Sequence, residues 1–237
     1  FVGLKLYFDA QTGGLLSEKA GAEAAADELR RDLSDEVQRA SDRASAAAQA
    51  SQFYELIRQQ RRAEVVRRYP AMAKEALSPA EAAVFRDFEQ QFRQELSLEL
   101  YQKGLQLAAA KKHEEAIARF EEAIQLHPDG THIPAVKHSL ALSLRKEKRS
   151  AEALIYAQQV AKQTVDVALQ PDGWWLVALC ARDLDDLDTA KDALKTLINK
   201  WPRSAITRDA RPVFREVTRE IWQGKQTATS PAAPDAQ

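Results

Sequence analysis

Residues Leu100 to Pro128 read LYQKGLQLAAAKKHEEAIARFEEAIQLHP, and their spacing decides how the rest of the chain is read. Gly104 lies twelve residues before Ala116; Phe120 is four further on, Ala123 three after that, and Pro128 five after that. Proline has no backbone N–H to give, so Pro128 stops whatever helix precedes it. The surrounding composition agrees with a helical reading. Only 8 Gly and 9 Pro punctuate 237 residues, while Ala, Glu, Leu, Arg and Gln, all strong helix formers, are abundant. No convincing run of alternating β-branched residues occurs, so the fold class is all-α. With 45% hydrophobic and 29% charged residues, the chain can build a packed core and has room for one or two domains.

The order and spacing of Gly104, Ala116, Phe120, Ala123 and Pro128 resemble the tetratricopeptide repeat (TPR), a helix–turn–helix unit of about 34 residues. In that frame Gly104 and Ala116 are small so that the two helices press together, and Phe120 fills the gap between them. One such unit cannot bury its own apolar face, so neighbours are required. A step of 37 residues finds them. It carries Ala116 to Ala153 and Ala190, Gly104 to Ala141 and Ala178, and Phe120 to Ala157 and Leu194. Pro202 follows Ala190 by twelve residues, as Pro128 follows Ala116. Three units fit, at 97–130, 134–167 and 171–204, the middle one with Ala157 where a large aromatic is expected. The surplus over the usual repeat falls in the connectors around Gly130-Thr131-His132 and Leu169-Gln170. A last helix near Ser204 to Trp222, holding Pro212, acts as a polar-faced cap.

The closing phrase of the third unit, LKTLINKWPRSAITRDAR, resembles the ending of the longer-period TPRs of bacterial envelope proteins. Those include the Tol–Pal-associated periplasmic TPR protein and the outer-membrane assembly lipoproteins. The first of these also has a coiled-coil region ahead of its repeats. The resemblance implies a place in the bacterial envelope, periplasmic or membrane-anchored, with the cytoplasm as the alternative.

Ahead of the repeats, residues 1–16 read as a flexible or membrane-proximal segment with a break at Gly13-Gly14. Residue 1 is Phe and FVGLKLYF opens the chain. That reads either as an ordinary apolar tail or as the exit of a membrane anchor or signal segment lying before Phe1. Residues 17–77 form an N-terminal helical or coiled-coil region. Leu33, Val37, Ala40, Ala44, Ala47, Ser51 and Tyr54 alternate in steps of four and three, the seam of a coiled coil. Alanine buries little area, so a close-packed helical hairpin or a weak oligomerisation stalk fits better than a long dimerising coil. Arg58, Arg61, Arg62, Arg67 and Arg68 make a solvated basic face, or one that meets anionic lipid or an acidic partner. Ser78-Pro79-Ala80-Glu81 is a helix start with a capping box. It opens a capping helix, 78–96, that either continues into the first repeat or packs on it. Residues 97–222 are the TPR domain, and 223–237, with no apolar anchor, read as a disordered tail.

Net charge is −1, against a dedicated nucleic-acid binder. Cys180 is the single cysteine, so there is no internal disulfide and no cysteine-based zinc site. His113, His127, His132 and His138 lie within one stretch but at positions facing different ways, so no metal site is assigned. The sequence Asp183 to Asp188 lacks the glycine and the twelfth-position glutamate of a calcium loop and reads as an interhelical turn. No nucleophile elbow, phosphate loop or dinucleotide fingerprint occurs. The chain reads as a non-enzyme without cofactor.

TPR arrays bind a partner segment along the first helix of each repeat. Positions 2, 5, 9 and 12 of that helix face the groove. They are Leu98, Tyr101, Leu105 and Ala108; Ala135, His138, Leu142 and Arg145; and Asp172, Trp175, Leu179 and Arg182. The partner-binding set is therefore Tyr101, Leu105, His138, Leu142, Arg145, Trp175, Leu179 and Arg182. The apolar members would hold side chains of a protein or peptide partner, and the two arginines its carboxylates. The functional expectation is a scaffold or adaptor in an envelope assembly, with an oligomeric stalk whose TPRs drive self-assembly as the alternative.

Overall fold

The computed structural model describes residues 2–163 and 166–229, with side chains over 18–162 and 166–224. Among the described residues every regular element is a helix: α1 Val2–Arg58, α2 Arg62–Met72, α3 Pro79–Ala109, α4 His113–Leu126, α5 Ile133–Lys146, α6 Ser150–Gln163, α7 Gln170–Asp183, α8 Leu187–Lys200 and α9 Ala205–Thr229. The all-α class and the TPR-type superhelix stand. Two compact units divide the chain, 1–90 and 91–237, and the boundary falls within α3.

In the first unit, α1 carries helix straight across Gly13 and Gly14, where a break was expected. Two glycines cost about 2 kcal/mol of helix propensity together, and a cooperative helix continuing on both sides absorbs that. The question of an anchor before Phe1 lies outside the described residues. The expected close-packed hairpin is confined to the C-terminal end of α1. Residues 18–45 are exposed throughout, and Ala46, Ala50, Phe53, Leu56 and Ile57 are buried together with Val65, Met72 and Phe85. Length explains this: α2 has eleven residues against 57 in α1, and at about 1.5 Å per residue it cannot cover its neighbour. The Phe85 ring stands edge-on to Phe53 at 4.8 Å and to Tyr54 at 5.4 Å. At the start of α3 the capping box closes. The Ser78 N–H donates to Glu81 Oε2 at 2.9 Å, and the Glu81 N–H donates to Ser78 Oγ at 3.2 Å. With no glycine or proline between Ala80 and Lys103, nothing stops α3, so capping helix and first repeat helix are one.

In the second unit the 37-residue step appears in the backbone itself. Helices α4, α6 and α8 begin at His113, Ser150 and Leu187, and α5 and α7 at Ile133 and Gln170. The turn inside each pair is the same object three times. Lys111, Lys148 and Asp185 adopt the left-handed conformation, with φ of 63°, 62° and 59°. The next N–H reaches back six residues inclusive, Lys112 to Leu107 O, Arg149 to Leu144 O and Asp186 to Ala181 O, each at 2.9 Å. This is the Schellman end of a helix, normally closed by glycine. Gln60, with φ of 56°, and Arg61, donating to Leu56 O at 3.0 Å, repeat it between α1 and α2. The first unit thus holds a helix-pair joint of the same construction, which no glycine in the sequence announces.

Close approach needs small residues. A Cβ on Gly104 would stand 2.6 Å from Phe120 Cδ1, and one on Gly173 would stand 2.7 Å from the backbone nitrogen of Ala161. Ala116, Phe120, Ala123, Ala141, Ala153, Ala157, Ala190 and Leu194 are fully buried, and Ala178 nearly so. Pro128 and Pro202 sit just past the ends of α4 and α8. α9 runs through Pro212 to Thr229, past the expected end near Trp222. It covers the first part of the segment expected to be disordered, and residues 230–237 lie outside the described residues. Replacing Lys148 by glycine removes the left-handed strain of a residue that carries a Cβ. It should raise the unfolding free energy by about 0.5–1 kcal/mol, read as a higher urea midpoint by circular dichroism. A lower midpoint would mean that the Lys148 side chain, not its backbone, holds the turn.

Candidate functional site

Curvature selects the inner face. α5 packs against α7 and α7 against α9, and among the described residues no comparable packing joins α4 to α6 or α6 to α8. The first helices of the pairs therefore crowd the inside of the superhelix, and their exposed residues line its concave side. At the ninth position of successive first helices, Leu105 and Leu142 are 41% and 40% exposed, and Leu179 is half-buried. Tyr101, His138 and Trp175 at the fifth position are half-buried too. The Tyr101 ring lies 6.0 Å from Phe120, tilted by 51°, so its body belongs to the core and its edge to the surface.

The two arginines of the predicted set do not wait for a partner. Arg145 grips Asp183 with Nε at 2.6 Å and Nη2 at 3.1 Å, and Ser150 Oγ donates to the same carboxylate at 3.1 Å. Arg182 meets Glu216 at 2.9 Å and Glu220 at 3.5 Å. Each arginine sits at the twelfth position of one first helix and reaches an acid on the next. The result is a ladder of ion pairs, α5 to α7 and α7 to α9. Burial alone would raise the Asp183 carboxyl. The Arg145 guanidinium, helped by Ser150 and Arg182, outweighs it and holds the group below the usual carboxylate range. Arg145 and Arg182, expected to face a partner's carboxylates, meet acids of this chain here. A nearer acid at the same register occupies each, a pairing that only the stacking of helices creates.

The histidines do not converge on one point, but two of them meet. His127 and His132 stack at 6.1 Å and 17°. The buried Ser97 hydroxyl donates to Ala123 O at 2.8 Å and contacts His132 Nε2 at 2.7 Å. With the serine hydrogen spent on the carbonyl, His132 must donate from Nε2. Its Nδ1 is then a buried acceptor without a partner, at rest only in the neutral ring. This clasp ties α3, α4 and the start of α5 and had no signal in the sequence beyond a serine on a helix. Burial, and then the neighbouring His127, depress the proton affinity of His132. Burial depresses that of His138 too, against a partial pull from Asp172. Cys180 is fully buried and its thiol is pushed up to about 11 by burial. Among the described residues no group of three His, Cys, Asp or Glu could hold a metal ion. No helix there is long and apolar enough to cross a membrane.

Helix pairs recurring every 37 residues, closed by a longer helix and curved around an apolar inner row, define a TPR-type superhelix, an architecture built for protein interaction. A family model described as an outer membrane lipoprotein, YfiO, matches residues 93–221. That is more than half of the 237 residues, and the chain belongs to this family. The matched segment opens at Arg93, whose Nη1 donates to the last carbonyl of α4, Leu126 O, at 3.1 Å. No curated protein matches the chain. Among solved structures, the chain is similar to the Sgt2 TPR domain from Aspergillus fumigatus. Identity there is 21% over 60% of this chain and 90% of that one, with a TM-score of 0.47. It is also similar to the first TPR domain of human RPAP3, at 18% identity over 55% and 96%, TM-score 0.46.

A depressed histidine favours the neutral, folded form, so its stabilisation is complete above the unfolded pKa of about 6.5 and is lost as pH falls below it. The urea midpoint should therefore drop between pH 7 and pH 5, and His132→Gln should flatten that drop. An unchanged pH slope in the variant would show that His132 is not the group responsible.

Proposed function

We propose that the chain is a non-enzymatic scaffold that holds a segment of a partner protein along the concave row of α3, α5 and α7, within an assembly of the bacterial envelope. The observation that carries this is the pair Leu105 and Leu142, large apolar side chains kept about two-fifths exposed at equivalent positions of neighbouring repeats. Surrounding them, Tyr101, His138, Trp175 and Leu179 offer half-buried edges. Since the ladder takes up Arg145 and Arg182, the contact is apolar first. The partner segment should carry aliphatic or aromatic side chains at a spacing that matches the repeat. Membership of an outer membrane lipoprotein family supports the envelope location. The double change Leu105→Asp with Leu142→Asp should abolish capture of the partner from envelope extracts while leaving helicity intact, because it puts two charges on the row and removes two anchors. Undiminished capture would overturn the groove assignment.

A second reading rests on a separate observation. Leu29, Leu33 and Val37 are 71%, 66% and 62% exposed on α1, a row that a partner helix would cover. On that reading the chain self-associates through α1 as a stalk. Light scattering should then give a mass above that of one chain, and Leu33→Glu with Val37→Glu should reduce it to 26.5 kDa. A single-chain mass for the unmodified protein would end the stalk reading.

A further inference from the structure

α9 presents two faces of opposite use. Ala210 and Val217 are buried, and Ile206, Val213, Phe214 and Ile221 pack against the core. Its acids Glu216 and Glu220 turn to Arg182. What remains outward is arginine. At 100° per residue, Arg208, Arg211, Arg215, Arg219 and Trp222 fall within an arc of about 80° and along about 21 Å of helix. All four arginines are exposed, and Trp222, at 60%, is an exposed large apolar side chain at the far end of the row. The other three tryptophans, Trp174, Trp175 and Trp201, are half-buried.

We propose that this outer face of α9 docks on an anionic phospholipid surface. Charge complementarity argues for it. Among the described residues, Arg211, Arg215 and Arg219 have no carboxylate within ion-pair distance. Arg208 has only its neighbour Asp209, at 3.8 Å and on the exposed surface. The acids of the packed element α8 are Asp188 and Asp192, both exposed. Between α8 and α9 the row opens into a cleft of about 500 Å³, lined by Lys195, Ile198, Asn199, Arg211, Phe214 and Arg215. Three cations and an apolar floor, with no carboxylate among them, match a phosphate with hydrocarbon behind it. Guanidinium forks suit phosphate oxygens and are weakly hydrated. An exposed tryptophan prefers the boundary between headgroup and acyl chain.

Geometry separates a membrane from an acidic protein. The row is the outer edge of one helix, whereas a peptide calls for the concave face already described. A flat lipid surface meets all five residues at once. This docking does not depend on the groove reading. It would hold the last helix of the array against a membrane while the concave row stays available.

The test uses the full chain and sedimentation with vesicles of phosphatidylcholine, with and without phosphatidylglycerol. The chain should partition to the phosphatidylglycerol vesicles alone and be released by added salt, as screening shortens the range of the field. At about fivefold per arginine, Arg211→Gln, Arg215→Gln and Arg219→Gln together should weaken partition on the order of a hundredfold. Neutralising Arg67 and Arg68 on α2 should leave most of it. Lipids brominated near the headgroup should quench tryptophan emission in the unmodified chain and much less in Trp222→Phe. The proposal fails if partition shows no preference for phosphatidylglycerol, if the triple variant keeps it, or if the α2 change removes it instead. Binding of soluble polyglutamate without vesicle partition would assign the face to an acidic protein and overturn the lipid reading. Circular dichroism of each variant confirms that a loss is not unfolding.

Discussion

A helix pair cannot bury its apolar face alone, and the array from Arg93 to Ile221 is arranged by that constraint. Each pair must press tightly together and offer its remaining face to the next. Pairing needs Gly104 beneath Phe120, and stacking of one pair on the next needs Gly173 against the backbone of α6. The angle within each pair is set by the left-handed residue at Lys111, Lys148 and Asp185. Each of these non-glycine positions costs about 1–2 kcal/mol in isolation. The burial of side chains such as Phe120, Leu144 and Leu194, each contributing roughly 1.5–3 kcal/mol, outweighs it.

The same stacking sorts the charges. An arginine at the twelfth position of one first helix lies beside an acid on the next, so Arg145 pairs with Asp183, and Arg182 with Glu216 and Glu220. Such partly exposed pairs contribute about 1 kcal/mol or less each, so their larger consequence is where charge is left over. On the inside Arg145 and Arg182 are taken up and an apolar row remains. On the outside of α9 the acids have been drawn inward and arginines remain. A chain with a net charge of −1 thereby acquires an apolar inner face and a basic outer edge.

Fold class and repeat number were legible because they depend on local chemistry. Ala116, Ala153 and Ala190, the prolines after α4 and α8, and the capping box at Ser78 are read from residue type and spacing. Boundaries were less legible where a signal was weak against its surroundings. Gly13-Gly14 did not break α1, and α9 ran beyond Trp222. The joint at Gln60 escaped notice because a helix end of that kind is recognised by glycine, and none of the four here has one.

Sequence alone determined that this protein is a helical array of three paired units with a capping helix, since helix, turn and repeat period are properties of neighbouring residues. Tertiary structure decided what the surfaces are for. Whether Arg145 is free or paired, whether Ser97 meets His132, and whether the acids of α9 turn away from its arginines depend on groups 35 to 38 residues apart in the chain. Those distances are set by stacking alone, so helix positions were readable from the sequence and the partners that each side chain meets were not.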